Sequence, residues 1–182
     1  MARFKYLTKD EVAPEHRPFM RDINLTRLLY HHPKMARVTG AVAMYIRNES
    51  LLDPRLREMA IIQVGYLAHS PYEYAHHLKI GLEAGVSEAD IRAIADETAG
   101  RPTALDPLTK AVLKAARELT GELRLSDETF AALQQHLDTQ RLLDLFEAIC
   151  TYNGVVRLLA ALDIDLEDEY RPYLEKFPLP KN

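Results

Sequence analysis

At 182 residues, 47% apolar and 27% charged, the chain has enough material for one substantial core and reads as one globular domain. Its 23 basic against 27 acidic residues give a net charge of −4 with no long basic run, which excludes a nucleic-acid-binding surface. No window approaches the roughly 18 uninterrupted apolar residues of a membrane span, and Met1 to Tyr6 has no apolar stretch behind its positive charges, so a cytoplasmic protein with no membrane partner is expected.

Helix punctuation recurs along the chain and alternating β-branched runs do not, which predicts an all-α protein. The first helix is expected from about Glu15 to Tyr30, stopping before His32-Pro33 because a residue preceding proline is driven out of the helical region. A second runs from Pro33 through Arg47. Asp53-Pro54 supplies an N-cap with proline at the first helical position, and a third helix, apolar on most sides, follows to Leu67. Ser70-Pro71-Tyr72-Glu73 repeats that grammar: Glu73 is spaced to complete a capping box with Ser70, and Gly85 ends the helix. Ser87 to Asp90 opens a short helix closing near Gly100, Asp106-Pro107 opens one closing at Gly121, and Ser126 caps the next. Asp138 begins the last long helix, where Leu142, Leu145, Phe146, Ile149, Val156 and Leu159 are too apolar for a solvated face, so it is core or a subunit interface. Its Cys150, the single cysteine, forms no intramolecular disulfide and is expected as a buried small hydrophobe. The acidic, proline-bearing segment from Asp163 to Asn182 is expected to pack on a neighbour or hang free.

Chemistry concentrates between Glu58 and His77. Glu73 and His77 stand four apart, so on a helix they share a face and their side chains meet, while His76 points to a neighbouring face. Glu58, on the preceding apolar helix, approaches that face if the two helices pack antiparallel. A carboxylate holding an imidazole in one tautomer, beside a second carboxylate in a dry pocket, is a proton-transfer unit suited to neutral pH. Structural roles compete: Glu73 as half of the capping box, His76 as a solvated or core histidine, Glu58 as the partner of Arg55 or Arg57 in a surface ion pair. Glu58, Glu73, His76 and His77 are also competent metal ligands, but Glu-x-x-x-His on a helix is common by chance, and neither metal nor other cofactor is expected. No Gly-rich phosphate loop, His-Glu-x-x-His or Gly-x-Ser-x-Gly is present. Tyr152-Asn153-Gly154 interrupts the last helix either for packing or so that Tyr152 or Asn153 donates a hydrogen bond to an anionic or carbonyl ligand in the same pocket.

Leu52-Asp53-Pro54-Arg55-Leu56-Arg57-Glu58, Tyr72-Glu73-Tyr74-Ala75-His76-His77 and Ala84-Gly85-Val86-Ser87 together resemble the carboxymuconolactone decarboxylase and AhpD-like family over about residues 51–94. The resemblance implies an AhpD-like helical bundle that assembles as a homo-oligomer, here with an N-terminal helical extension over 1–50, the family domain over 51–162 and a tail over 163–182. In the family's redox branch a glutamate is followed after eleven residues by Cys-x-x-Cys-x-x-x-His; on this chain that pattern falls on Glu58, Ser70, Glu73 and His77. Serine and glutamate supply neither a peroxidatic nor a resolving thiolate, so thiol peroxidase activity is expected to be absent. The decarboxylase branch needs no redox cysteine, and its likeness implies a cofactor-free acid/base enzyme that decarboxylates or isomerises a small carboxylated metabolite. His77 is then the proton donor, Glu73 orients it, Glu58 is the second acid/base group and Arg57 faces a substrate carboxylate, with Tyr72, His76, Tyr152 and Asn153 lining the substrate site. The alternatives are an AhpD-like oxidoreductase working through Cys150 alone and a non-enzymatic oligomeric ligand-binding module.

Overall fold

Caps written into the sequence set most of the helix starts. Asp53 accepts the Leu56 N–H and Asp106 the Thr109 N–H, each ahead of a proline, and Ser87, Ser126 and Asp138 cap in the same way. The computed structural model describes residues 2–180, so Met1 at the start of the expected extension, and Lys181 and Asn182 at the end of the expected tail, lie outside the described residues. Within them the chain is all-α, with no strand: α1 (Asn24–Leu29), α2 (Pro33–Asn48), α3 (Pro54–Leu67), α4 (Pro71–Glu83), α5 (Glu88–Thr98), α6 (Pro107–Gly121), α7 (Asp127–Gln134), α8 (Thr139–Leu162) and α9 (Arg171–Lys176), plus three short 3-10 turns.

α3 is the hub. It is buried without a break from Leu56 to Gly65 and packs against α4, α6 and α8. Ala60 and Val64 meet Val112 and Ala115 of α6 and Leu145 and Ile149 of α8, while Met59 and Ile62 meet Tyr74 and Leu78 of α4 and Ile91 and Ile94 of α5. A helix enclosed on all sides has no solvent for its polar side chains, so Arg57 and Glu58 must find partners inside.

The α3–α4 corner is tight, with His69 in the left-handed region at φ 47°. Gly65 lies against Tyr74 while Gly81 lies against Ile62 and Glu58, a pairing that runs antiparallel and brings the two helices close. A Cβ at Gly65 would sit 3.0 Å from the Tyr74 backbone nitrogen and 3.1 Å from its Cα. Backbone cannot swing aside as a side-chain end can, so Gly65→Ala is expected to destabilise by about 1–3 kcal/mol despite alanine's better helix propensity. Urea denaturation measures it, and an unchanged or higher midpoint would show that the α3–α4 spacing has slack.

Four expectations need correction. The helix expected over Glu15–Tyr30 is a 3-10 turn at Arg17–Phe19 followed by the six-residue α1. Pro18 sits in that turn, and the start of α1 is fixed from far away: Glu167 accepts the Asn24 N–H at 2.6 Å and the Asp165 carbonyl accepts the Asn24 amide at 2.9 Å. The C-terminal segment packs on its own chain, with Tyr170 and Phe177 buried against α4 and its neighbours. Cys150 is exposed, because it falls on the side of α8 that turns away from α3. The capping box at Ser70 does not form: Ser70 makes no side-chain cap, and its own N–H, which Glu73 would have to accept, already donates to the Gly65 carbonyl at 3.0 Å. α8 itself is divided. Leu142, Leu145, Ile149, Val156 and Leu159 enter the core, whereas Leu143 is 62% exposed, and by length and composition alone the helix is apolar enough to cross a membrane.

Candidate active site

With the capping box unmade, Glu73 is free to turn inward. α3 delivers Arg57 and Glu58, α4 delivers Tyr72, Glu73, His76 and His77, and α8 delivers Tyr152 to one cavity of about 110 Å³. His77 is held from both ends. Its Nδ1 lies 2.6 Å from Glu58 Oε2, and its Nε2 lies 2.9 Å from Glu73 Oε1. The second contact is badly aligned: Glu73 Oε1 is buried with no true hydrogen-bond donor, so the attraction there is chiefly ionic. Arg57 closes the chain of charges, its Nε donating to Glu58 Oε1 at 2.9 Å and its Nη1 to the Arg47 carbonyl at 3.1 Å, where the negative end of α2 favours a cation. All four charged groups are buried, Glu58 to 1% exposure.

Burial alone would pull the His77 imidazole down. The field of Glu58, reinforced by Glu73, outweighs it and holds the pKa up at about 9. Burial likewise pushes the Glu58 carboxyl up, and His77 and Arg57 together reverse that and leave it lowered. At neutral pH His77 is therefore an imidazolium with the Glu58 carboxylate beside it. Tyr152 sets the edge of its ring against the His77 ring, 4.7 Å between centroids, and burial keeps its hydroxyl protonated.

His76 belongs to a separate latch. Its ring is stacked between Tyr72 and Tyr170, and its Nε2 lies 2.8 Å from Glu167 Oε2. The Tyr72 hydroxyl donates to Glu167 Oε1 and accepts the Leu25 N–H. Glu167 thus ties α1, α4 and the C-terminal segment together. The nitrogens that a metal would need are committed to carboxylates, and among the described residues no three His, Cys, Asp or Glu side chains are grouped to hold an ion.

Of the residues expected at the site, Glu58, Glu73, His77, Arg57, Tyr72, His76 and Tyr152 line the cavity. Asn153 does not: its amide donates to Thr120 Oγ1 and to the Ile149 carbonyl, a packing role one helix face away. Arg57 gives its Nε to Glu58 and its Nη1 to α2 carbonyls, which leaves Nη2 as its one nitrogen without a partner among the described residues. Three contributors escaped the sequence reading. Arg21 and Arg47 line the cavity from the N-terminal segment and α2, and Glu167 acts across 91 residues of chain. No local spacing signals any of them.

The model of the carboxymuconolactone decarboxylase family matches residues 33–118, a span that takes in α2 through most of α6 and so holds every member of the Glu58–His77–Glu73 cluster. No curated protein matches the chain. Among solved structures, an uncharacterized peroxidase-related protein from Ralstonia eutropha with an alkylhydroperoxidase AhpD core is 15% identical, superposes with a TM-score of 0.81 and covers 98% of both chains. A cysteine-to-alanine form of the debrominase Bmp8 in complex with 2,3,4-tribromopyrrole is 17% identical with a TM-score of 0.84, over 97% of this chain and 100% of its own. A peroxidase-related protein from Silicibacter is 14% identical with a TM-score of 0.71, over 81% and 78% of the two chains. At these identities the likeness shows the fold. Residues 33–118 thus match the carboxymuconolactone decarboxylase family, and the chain folds as an AhpD-like all-helical protein.

Proposed function

We propose that the chain is a cofactor-free acid/base enzyme that moves a proton on a small carboxylated metabolite, by decarboxylation or isomerisation. The observation that carries this reading is the buried Glu58–His77–Glu73 line, in which an imidazolium is kept charged inside a small cavity. Glu58 fixes the ring through Nδ1, so the proton available for transfer is the one on Nε2, which Glu73 holds only loosely. In a decarboxylation the bond between the substrate carbon and its carboxylate breaks, carbon dioxide leaves, and the electron pair left on carbon takes the Nε2 proton. In an isomerisation Glu73, with an uncommitted buried oxygen, takes a proton from one carbon and His77 returns one to another. The complex of the similar debrominase with a bromopyrrole supports a small ring as the size class.

A redox reading on Cys150 has less support. Cys150 is an exposed residue of α8 and does not line the cavity, and partial desolvation of its sulfur together with Glu147 raises its pKa, which disfavours the thiolate.

The test is a panel of carboxylated lactones and unsaturated acids incubated with the protein in deuterium oxide, followed by NMR for carbon-bound deuterium and for loss of carbon dioxide. Turnover is expected on a member of the panel, level through neutral pH and falling along a limb near pH 9 as His77 loses its proton. A rate that instead rises through pH 9 would make neutral imidazole the working form and overturn the assignment of His77 as donor.

A further inference from the structure

The cavity is cationic in an acidic chain. Its lining carries the guanidiniums of Arg21, Arg47 and Arg57 and the imidazolium of His77 against the carboxylates of Glu58 and Glu73, an excess of two positive charges in a protein whose net charge is −4. Two of those cations are already neutralised, since Arg57 pairs with Glu58 and His77 with Glu58 and Glu73. Arg21 and Arg47 are not. Among the described residues neither side chain forms a hydrogen bond or an ion pair, although Arg47 is half-buried. The Tyr152 hydroxyl, in the same cavity, likewise has no partner among the described residues. Unpaired donors gathered at the wall of a cavity leave a place for an acceptor that the protein itself does not supply.

We infer that Arg21 and Arg47 form the seat for the anionic group of the substrate, with the Tyr152 hydroxyl as a further donor, and that these residues set the preference of the site for carboxylates. This rests on the acid/base reading above only for the identity of the anion as part of a substrate. Arg47 comes from α2 and Arg21 from the segment ahead of α1, whereas the proton donor comes from α4, so one cavity joins an anion seat to the reacting groups from separate elements. Arg21 also precedes the family-matched span, which makes it a specificity determinant that the family domain alone does not carry. A carboxylate held by the two guanidiniums directs the rest of a small ligand toward Glu73 Oε1 and His77 Nε2.

Isothermal titration of the full chain with benzoate and with its uncharged isostere benzamide tests the seat, using Arg47→Gln, Arg21→Gln and, as a control away from the cavity, the exposed Arg124→Gln. Benzoate is expected to bind at least roughly tenfold more tightly than benzamide, with the advantage shrinking as salt rises. Arg47→Gln should remove roughly tenfold in benzoate affinity and Arg21→Gln a smaller factor because that side chain is exposed and screened, while Arg124→Gln changes nothing and benzamide is indifferent to all three. Equal affinity for the two ligands, failure of both to bind, or benzoate affinity unchanged in both cavity variants overturns the proposal. NMR titration of His77 in the same samples separates the two readings. If His77 still titrates near 9 while the arginine variants bind benzoate normally, the anion seat falls and the acid/base site stands. If His77 titrates at its ordinary value while the arginine variants lose benzoate, the seat stands and the acid/base site falls.

Discussion

Replacing Glu58 with alanine is expected to cost about 3–5 kcal/mol of folding stability, because it strands two buried cations that share this one carboxylate. Arg57 and His77 cannot move to water: both are enclosed, and Arg57 is further held by carbonyls of α2. Glu58→Gln keeps the volume and one acceptor and should cost less, so the pair of variants divides the charge effect from the cavity effect. The pH dependence carries the sign. His77 has a folded pKa of about 9, above its ordinary 6.5, so its contribution is complete below 6.5 and is lost as pH rises through about 9. Glu58 is lowered from 4.5, so its contribution is complete above that value and is lost as pH falls below it. Urea denaturation of the native chain should therefore show stability level between these limits and falling on the alkaline side, whereas Glu58→Gln should lose most of the alkaline fall. Parallel curves for the two proteins would mean that His77 is not held charged by Glu58.

The parts of this architecture that were legible in the sequence are those governed by local rules. Asp53-Pro54, Asp106-Pro107, Ser87, Ser126 and Asp138 start their helices where the caps say, since each depends only on neighbours three residues away. The meeting of Glu73 with His77 followed from their spacing, and that of Glu58 with His77 followed once the short α3–α4 turn forced an antiparallel pair. Where the reading failed, a distant partner had decided the outcome. The start of α1 is set by Glu167, so no rule applied to residues 15–30 alone could find it. Ser70 and Glu73 have the pattern of a capping box, but the N–H that the box needs was taken by Gly65, a consequence of the turn and not of the pattern. Arg21, Arg47 and Glu167 come to the site through packing of the N-terminal and C-terminal segments, whose sequences carry composition but no period that would orient them. Glu73, at a position where the resemblance places a redox cysteine, adds a third group to the Glu58–His77 pair.

Replacing His77 with glutamine is expected to lower kcat by about 10²–10⁴ on whichever substrate the deuterium screen identifies, the range over which a positioned general acid contributes. Glutamine can still donate from its amide to Glu58, so the framework around Arg57 keeps a partner, but it has no proton to give and none to regain. The expected pattern is a fall in kcat and in kcat/KM together with KM nearly unchanged, since the anion is held by other residues. The alkaline limb near pH 9 should vanish along with the activity, because the group responsible for it is gone. A variant that loses affinity while keeping kcat would instead place His77 among the binding groups. Glu73→Gln distinguishes the two reactions: decarboxylation needs Glu73 only to steady Nε2 and should fall by a modest factor, whereas isomerisation uses Glu73 Oε1 as the base and should fall as far as the His77 variant does. The ratio of those two losses thus reads out the type of reaction from the protein side, before the product is known.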